Sequence, residues 1–103
     1  MASHKSYLDY ILDQLSDLEE ISYKPMMGEY IIYYRGKVIG GIYDDRFLLK
    51  PVKSVLELMP DARFELPYDG AKQMLMPDNI EDTEFLKTVV KAIYNEISVA
   101  KKK

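Results

Sequence analysis

Three short runs of β-branched and aromatic residues, separated by two-residue turn signals, constrain this chain most strongly. The runs are residues 30–34, 38–43 and 46–50. Arg35-Gly36 lies in the first gap and Asp44-Asp45 in the second. Gly and Asp tolerate the positive φ that a two-residue hairpin needs. The pattern therefore predicts a meander of three antiparallel strands.

A fourth strand is predicted before the meander, at Ile21–Lys24. Pro25 follows it and has no amide hydrogen to donate, so this strand should lie at a sheet edge or stop there. After the meander, Pro51 and Pro60 enclose a predicted two-turn helix. Two further short strands are predicted at residues 64–66 and 73–76, on either side of a turn signal.

Apolar residues at helical spacing predict one helix near each end of the chain. The first stripe consists of Leu8, Ile11, Leu12, Leu15 and Leu18, with Ser3 or Ser6 as the N-cap. The second consists of Phe85, Leu86, Val89, Val90, Ile93 and Ile97, with Asp82 as the N-cap. The order of elements predicts a two-layer α+β fold in which the helices pack on an antiparallel sheet.

The length of 103 residues favours a single domain spanning 1–103, with a flexible tail at residues 99–103. We expect one core formed by Phe85, Leu86, Val89, Val90, Ile93, Leu12, Leu15 and Phe47. No run approaches the roughly 20 apolar residues of a membrane span, and no signal peptide is recognisable. A cytoplasmic protein without membrane contact is therefore the expectation.

The titratable residues argue against catalysis and metal binding. The chain has no Cys and a single His, which nearly excludes a structural zinc site. That residue, His4, lies where chains commonly fray, and no nucleophile–base set can be assembled around it. Asp44 and Asp45 are interpreted as turn formers, with a magnesium site as the alternative. We therefore expect no enzyme activity and no cofactor.

The net charge of −3 and the lack of a basic recognition helix predict no strong binding to duplex DNA. The nine tyrosines leave three interpretations open: sheet stabilisation, an interaction surface, or stacking on a single-stranded nucleic acid. Tyr30 and Tyr34 should share one sheet face, with Tyr33 on the other. Gly40-Gly41 indicates a bulge or a close approach to the backbone, by a helix or else by a ligand.

Two segments are candidates for a binding surface. One contains Met26, Met27, Gly28 and Tyr30, where a proline, two methionines and a glycine fit neither a regular helix nor a central strand. The other is the hairpin formed by Arg35, Gly36 and Lys37. A competing hypothesis is that Met26 and Met27 fill the core from a bulge.

Several of these motifs resemble the TfoX (Sxy) N-terminal domain family. Lys24-Pro25-Met26-Met27-Gly28-Glu29-Tyr30 is similar to its K-M-F-G-x-Y signature, with Met27 in place of the usual Phe. The segments 33–38, 44–50 and 67–72 resemble its Y-x-G-K-V hairpin, its D-D-x-L-Y-L-K strand and the turn before its late strand. The resemblance covers roughly residues 5–98.

The resemblance implies a two-layer α+β sandwich and no established catalytic residues. Full-length members of this family are bacterial regulators of natural competence that carry a second, helical domain, whereas this chain is similar to the stand-alone members. The expected function is a regulatory or protein-interaction module with an unknown protein partner. The alternative is a small-ligand-binding domain with a pocket between sheet and helices. A homodimer is left open.

Overall fold

A computed structural model of the chain describes residues 3–77 and 80–100. The described residues form three helices and six strands, which confirms the α+β class. The helices are α1 Lys5–Gln14, α2 Lys53–Leu58 and α3 Thr83–Ala100. The strands are β1 Ile21–Met26, β2 Glu29–Tyr34, β3 Lys37–Ile42, β4 Phe47–Leu49, β5 Arg63–Glu65 and β6 Met74–Met76.

All six strands form one antiparallel sheet in the order β1-β2-β3-β4-β6-β5. The predicted meander is confirmed, and β1 extends it at the edge. Met26 and Glu29 close the hairpin between β1 and β2 as a hydrogen-bonded pair, and such pairs alternate along the ladder. Pro25 therefore occupies an alternate position, where its nitrogen points away from β2. This is why the strand continues through the proline.

Three successive two-residue hairpins connect the first four strands. Arg35-Gly36 and Asp44-Asp45 are the predicted turns, with φ of 52° and 81° in the first and 53° and 55° in the second. Met27-Gly28 forms the third, with φ of 52° and 87°. Two successive positive φ values define the type I′ turn, whose twist matches that of the flanking strands.

The helices cover one face of the sheet and form a single core with it. Leu15 of the α1 end, Phe47 of β4, and Leu86, Val89, Val90 and Ile93 of α3 are all buried in one cluster. Leu12 and Phe85 pack against the margin of that cluster and are only partly buried. The predicted core is thus confirmed. Tyr34 lies in this cluster and Tyr30 packs against it, as expected for two residues on one face.

The glycine pair of β3 is explained by the sheet itself and by a tyrosine ring. A Cβ atom on Gly40 would lie 2.2 Å from the Leu48 carbonyl oxygen of the next strand, at a point where the β2–β3 register shifts. A Cβ atom on Gly41 would lie 2.6 Å from Cε2 of the Tyr43 ring. The bulge is confirmed. The nearest contacts at these two glycines come from a strand and a ring, and helix α3 also packs against β3.

The helix caps were predicted correctly at one end of the chain only. Asp82 Oδ1 accepts a hydrogen bond from Phe85 N at 3.1 Å, which confirms it as the cap of α3. The N-cap of α1 is His4, and no side chain caps it. The prediction that Ser3 or Ser6 caps α1 is wrong. The Ser3 hydroxyl donates a hydrogen bond to Glu29 instead, and Ser6 lies within the helix.

Helix α3 includes residues 99 and 100 of the predicted flexible tail, and residues 101–103 lie outside the described part. No helix within residues 3–77 and 80–100 combines the length and apolar character that a membrane span requires.

Glu96 of α3 caps the short helix α2. Its carboxylate accepts hydrogen bonds from Ser54 N at 2.8 Å, Ser54 Oγ at 2.7 Å and Lys53 N at 3.0 Å. The first turn of α2 offers no side-chain cap of its own. A carboxylate from another helix therefore satisfies amide groups that would otherwise lack a partner. These bonds, above all that from the Ser54 amide, lower the pKa of Glu96 below its usual value.

Replacing Val90 by Asp should unfold the domain. The Val90 side chain is fully buried, and a carboxylate there would be desolvated without a partner, which costs several kcal/mol. Thermal denaturation followed by circular dichroism measures the effect. A variant that melts within a few degrees of the parent would contradict the packing of α3.

Replacing Glu96 by Gln should lower the melting temperature at pH 7, and it should lower it by less in acid. A pKa that is lowered in the folded state adds stability above the unfolded value of about 4.3, and this stability is lost as the pH falls through the folded pKa. The difference in melting temperature between the parent and the variant should therefore become smaller below about pH 4.3. Glu57→Gln on the exposed face of α2 is the control. Equal effects of the two substitutions at pH 7 would show that Glu96 is not a specific cap.

Candidate functional site

The structure places the two predicted binding segments at opposite ends of β2. The Met27-Gly28 turn precedes this strand and the Arg35-Gly36 turn follows it. A strand of six residues separates its ends by about 17 Å. The seven predicted residues thus form two separate surfaces. We refer to residues 26–29 as the Met27 hairpin.

The Met27 hairpin presents its methionines to solvent. The Met27 side chain is 96% exposed and that of Met26 is 38% exposed. The hypothesis that both methionines fill the core is therefore wrong. Tyr30 is half-buried, and its ring meets that of Tyr23 edge-on with the centroids 5.9 Å apart. Tyr30 thus supports the base of the hairpin, while Met27 forms its tip.

Met27 has an unfavourable local conformation. A φ of 52° brings Cβ close to the following carbonyl oxygen, and left-handed backbone costs a residue other than Gly, Asn or Asp about 1–2 kcal/mol. Its exposed side chain gains little from burial that would offset this cost. Strained and exposed apolar residues of this kind are concentrated at functional sites.

The residues before α1 hold the Met27 hairpin against the Asp44-Asp45 turn. Ser3 N donates to the Gly28 carbonyl oxygen at 2.9 Å, and Ser3 Oγ donates to Glu29 Oε1 at 2.6 Å. Asp45 N donates back to Ser3 Oγ at 3.0 Å, and Asp44 N donates to Glu29 Oε1 at 3.2 Å. We call Ser3, His4, Glu29 and Asp45 the N-terminal clamp.

His4 completes the clamp through Asp45. The His4 backbone nitrogen donates to Asp45 Oδ1 at 2.8 Å, and ring atom Nδ1 lies 2.7 Å from Oδ2. The hydrogen bonds from the His4 backbone and ring lower the pKa of Asp45. The expectation that His4 lies in a fraying end is therefore wrong. Asp44 and Asp45 are confirmed as turn formers by their positive φ.

The clamp contains a serine, a histidine and an aspartate but not in a nucleophilic arrangement. The Ser3 hydroxyl donates to the Glu29 carboxylate, whereas the His4 ring is hydrogen-bonded to Asp45. A nucleophilic serine would instead bond to the histidine ring that removes its proton. Across residues 3–77 and 80–100, no group of three or more His, Asp or Glu side chains is placed to hold a metal ion. The contacts of the clamp join three segments of the chain.

The other predicted surface is occupied by structural contacts. The guanidinium carbon of Arg35 lies 5.5 Å from the centroid of the Tyr34 ring, and Arg35 N donates to the Glu20 carbonyl oxygen at 3.0 Å. Tyr34 in turn meets Tyr94 of α3 edge-on at 5.2 Å. Arg35 therefore stabilises the sheet edge and its packing on α3. Lys37 pairs with Tyr34 across the same hairpin.

A cavity of about 490 Å³ lies between the end of α1 and β1. Leu12, Leu15, Ile21 and Tyr23 are among the residues that line it. Its position between a helix and the sheet is the one expected for the alternative hypothesis of a small-ligand pocket.

Sequence reasoning missed the clamp because its contacts join residues that are far apart in the chain. His4 and Asp45 are 41 positions apart, and Ser3 and Glu29 are 26 apart. Only the three-dimensional proximity of two hairpins brings them together. The one available signal was the polar pair Ser3-His4 directly before an amphipathic helix.

Replacing Met27 by Asn should stabilise the protein. Asn tolerates positive φ, and Asn-Gly is a preferred type I′ dipeptide, so we expect a gain of about 0.5–1 kcal/mol in the free energy of unfolding. Chemical denaturation measures this value.

The matched control is Arg35→Asn, at the same φ of 52° in the other hairpin. Here the loss of the side-chain contacts with the Tyr34 ring and with the Glu20 carboxylate, whose Oε2 lies 4.0 Å from Arg35 Nε, should offset the relief of strain. A loss of stability in Met27→Asn would show that the Met27 side chain makes contacts that stabilise the fold.

Comparisons with known proteins agree with the fold and with the motifs. The family model of the TfoX N-terminal domain matches residues 13–96. A Spirochaeta aurantia protein described as an uncharacterized 12.7 kDa protein in the trpE 5' region is 34% identical over 80 residues, which are 78% of this chain and 70% of that protein. No solved structure is significantly similar. The chain belongs to the TfoX N-terminal domain family.

Proposed function

We propose that this protein is a non-enzymatic regulatory module that acts by binding another protein through the Met27 hairpin. The observation that carries the proposal is the conformation of Met27, which is strained and almost fully exposed at the same time. The strained backbone lowers folding stability and the exposed side chain does not offset that cost, and a contact with a partner would account for both features.

The chemistry of the hairpin suits a protein surface. Methionine is flexible and polarisable, so it adapts to irregular apolar partners. The clamp fixes the hairpin by hydrogen bonds from Ser3 to Gly28 and Glu29. Because the hairpin is already ordered before binding, the entropic cost of association is lower.

Membership of the family supports a regulatory role. Full-length members regulate natural competence, and we propose that this chain shares their mode of action through a protein contact. The charges at the hairpin support protein rather than DNA as the partner, since Glu29 belongs to the hairpin and its carboxylate accepts a hydrogen bond from Asp44 N of the neighbouring acidic turn. Acidic side chains repel the phosphate backbone.

Small-ligand binding is the second candidate, and the cavity between α1 and β1 favours it. Its volume of about 490 Å³ lies within the range of roughly 300–1,000 Å³ that is usual for ligand sites. A ligand bound there would contact Leu12 and Tyr23 and would leave Met27 free.

An affinity purification from the native cell tests the proposal, with the parent chain, Met27→Asn and Arg35→Asn as baits. A partner recovered with the parent is then titrated with all three purified proteins. We expect Met27→Asn to weaken binding at least about tenfold, as for a hot-spot residue, and Arg35→Asn to leave it unchanged.

Three outcomes would contradict the proposal. The first is a partner bound equally well by Met27→Asn. The second is a co-purified small molecule with no protein partner, which would favour the cavity. The third is nanomolar, sequence-specific binding to duplex DNA in a gel shift at physiological salt. Light scattering of the parent alone shows whether the partner is a second copy of this chain.

A further inference from the structure

A second cavity lies apart from the Met27 hairpin and from the cavity beside α1. Its volume is about 620 Å³, and it lies between the β4–α2 connection, the segment that leads into β6, and α3. Val52, Met74 and Ile97 line it from these three elements. The size falls within the usual range of small-molecule sites, roughly 300–1,000 Å³.

Two tyrosine rings form an aromatic wall of this cavity. The centroids of Tyr43 and Tyr68 are 6.2 Å apart, with the rings tilted by 52°. Tyr43 is buried, and its ring is held in place over Gly41, where any side chain would collide with it. Tyr68 is 58% exposed, so much of its ring remains open to contact. An aromatic wall with apolar neighbours favours a planar or apolar ligand body.

Both charged side chains that line this cavity are lysines. Lys50 and Lys72 line it, and none of the described lining residues is acidic. Within residues 3–77 and 80–100, neither lysine forms an ion pair, whereas Lys5 and Lys87 do so with nearby carboxylates. Within the described part of the chain, two ammonium groups without an ion-pair partner therefore lie beside an apolar wall, where they can bind an anionic group.

The hydroxyl group of Tyr43 is a further polar group, and it has no hydrogen-bond partner among residues 3–77 and 80–100. Tyr43 is 7% exposed, and no hydrogen bond of its hydroxyl is found in the described part of the chain. Buried polar groups usually have a partner, so one that lacks it needs an explanation. Burial raises the pKa of this phenol, and the nearby Tyr68 and Glu29 side chains add to the rise, so the phenol is a neutral hydrogen-bond donor. A ligand oxygen would provide the missing acceptor.

We propose that this cavity binds a small molecule that carries an anionic group on an aromatic body. Lys50 and Lys72 bind the anionic group, and the Tyr43 and Tyr68 rings contact the aromatic body. The class comprises aromatic carboxylates, sulfonates and phosphates. None of the residues that line the cavity belongs to the Met27 hairpin.

A matched pair of fluorescent probes tests this inference on the full chain. 8-Anilinonaphthalene-1-sulfonate carries the anionic group, and N-phenyl-1-naphthylamine has the same ring system without it. We expect the sulfonate to bind at least about tenfold more tightly, since charge-assisted contacts contribute more than neutral ones. Amide chemical shifts of the labelled parent locate the bound sulfonate independently of any variant, and they should move around residues 43, 50 and 67–74.

The variant Lys50→Met/Lys72→Met should weaken sulfonate binding at least about tenfold. Its control is Lys24→Met/Lys91→Met, which removes the same net charge from exposed positions that do not line the cavity. Equal weakening by both double variants would overturn the proposal, because it would show an effect of net charge alone. Equal affinity for the neutral probe, or shifts confined to the cavity beside α1, would also overturn it.

Discussion

The left-handed backbone at three two-residue turns determines the arrangement of the rest of the structure. Each turn fixes the register of the two strands that it joins, and a shift by one residue would turn every side chain to the opposite face. With the register fixed, Ile32, Ile42, Phe47 and Leu49 lie on one face and form the surface on which the helices pack. The turns also bring the Met27 hairpin and the Asp44-Asp45 turn to the same end of the sheet, where the first residues of the chain join them.

The sequence predicted the elements that depend on local chemistry and missed those that depend on tertiary proximity. Arg35-Gly36 and Asp44-Asp45 were identifiable as turns because Gly and Asp tolerate positive φ. Met27-Gly28 was not, since a methionine at its first position is atypical of such a turn. The strand before Pro25 was placed correctly at the edge, because the missing amide hydrogen is a local property. The contacts of Ser3 and His4, and the capping of α2 by Glu96, involve residues far apart in the chain and have no local signature.

The N-terminal clamp joins hairpin residues that the family match covers to residues before α1 that the match does not cover. Glu29 and Asp45 lie within residues 13–96, whereas Ser3 and His4 precede them. The hairpins are therefore features of the matched domain, and the segment that ties them together comes from outside the matched residues. At Met27 the residue type does not match the local conformational preference of the turn. Its conformation is unfavourable for the isolated turn, and the hydrogen bonds on either side of the turn hold it in that conformation.

The carboxylate of Glu96 has a mechanical consequence beyond the capping of α2. Its neighbour Ile97 and Val52, which directly precedes the capped helix, both line the larger cavity. The hydrogen bonds from Ser54 and Lys53 to Glu96 join α3 to the start of α2 beside these two residues. The bonds that cap a short helix therefore also fix the position of two side chains that line the cavity, although Glu96 itself does not line it.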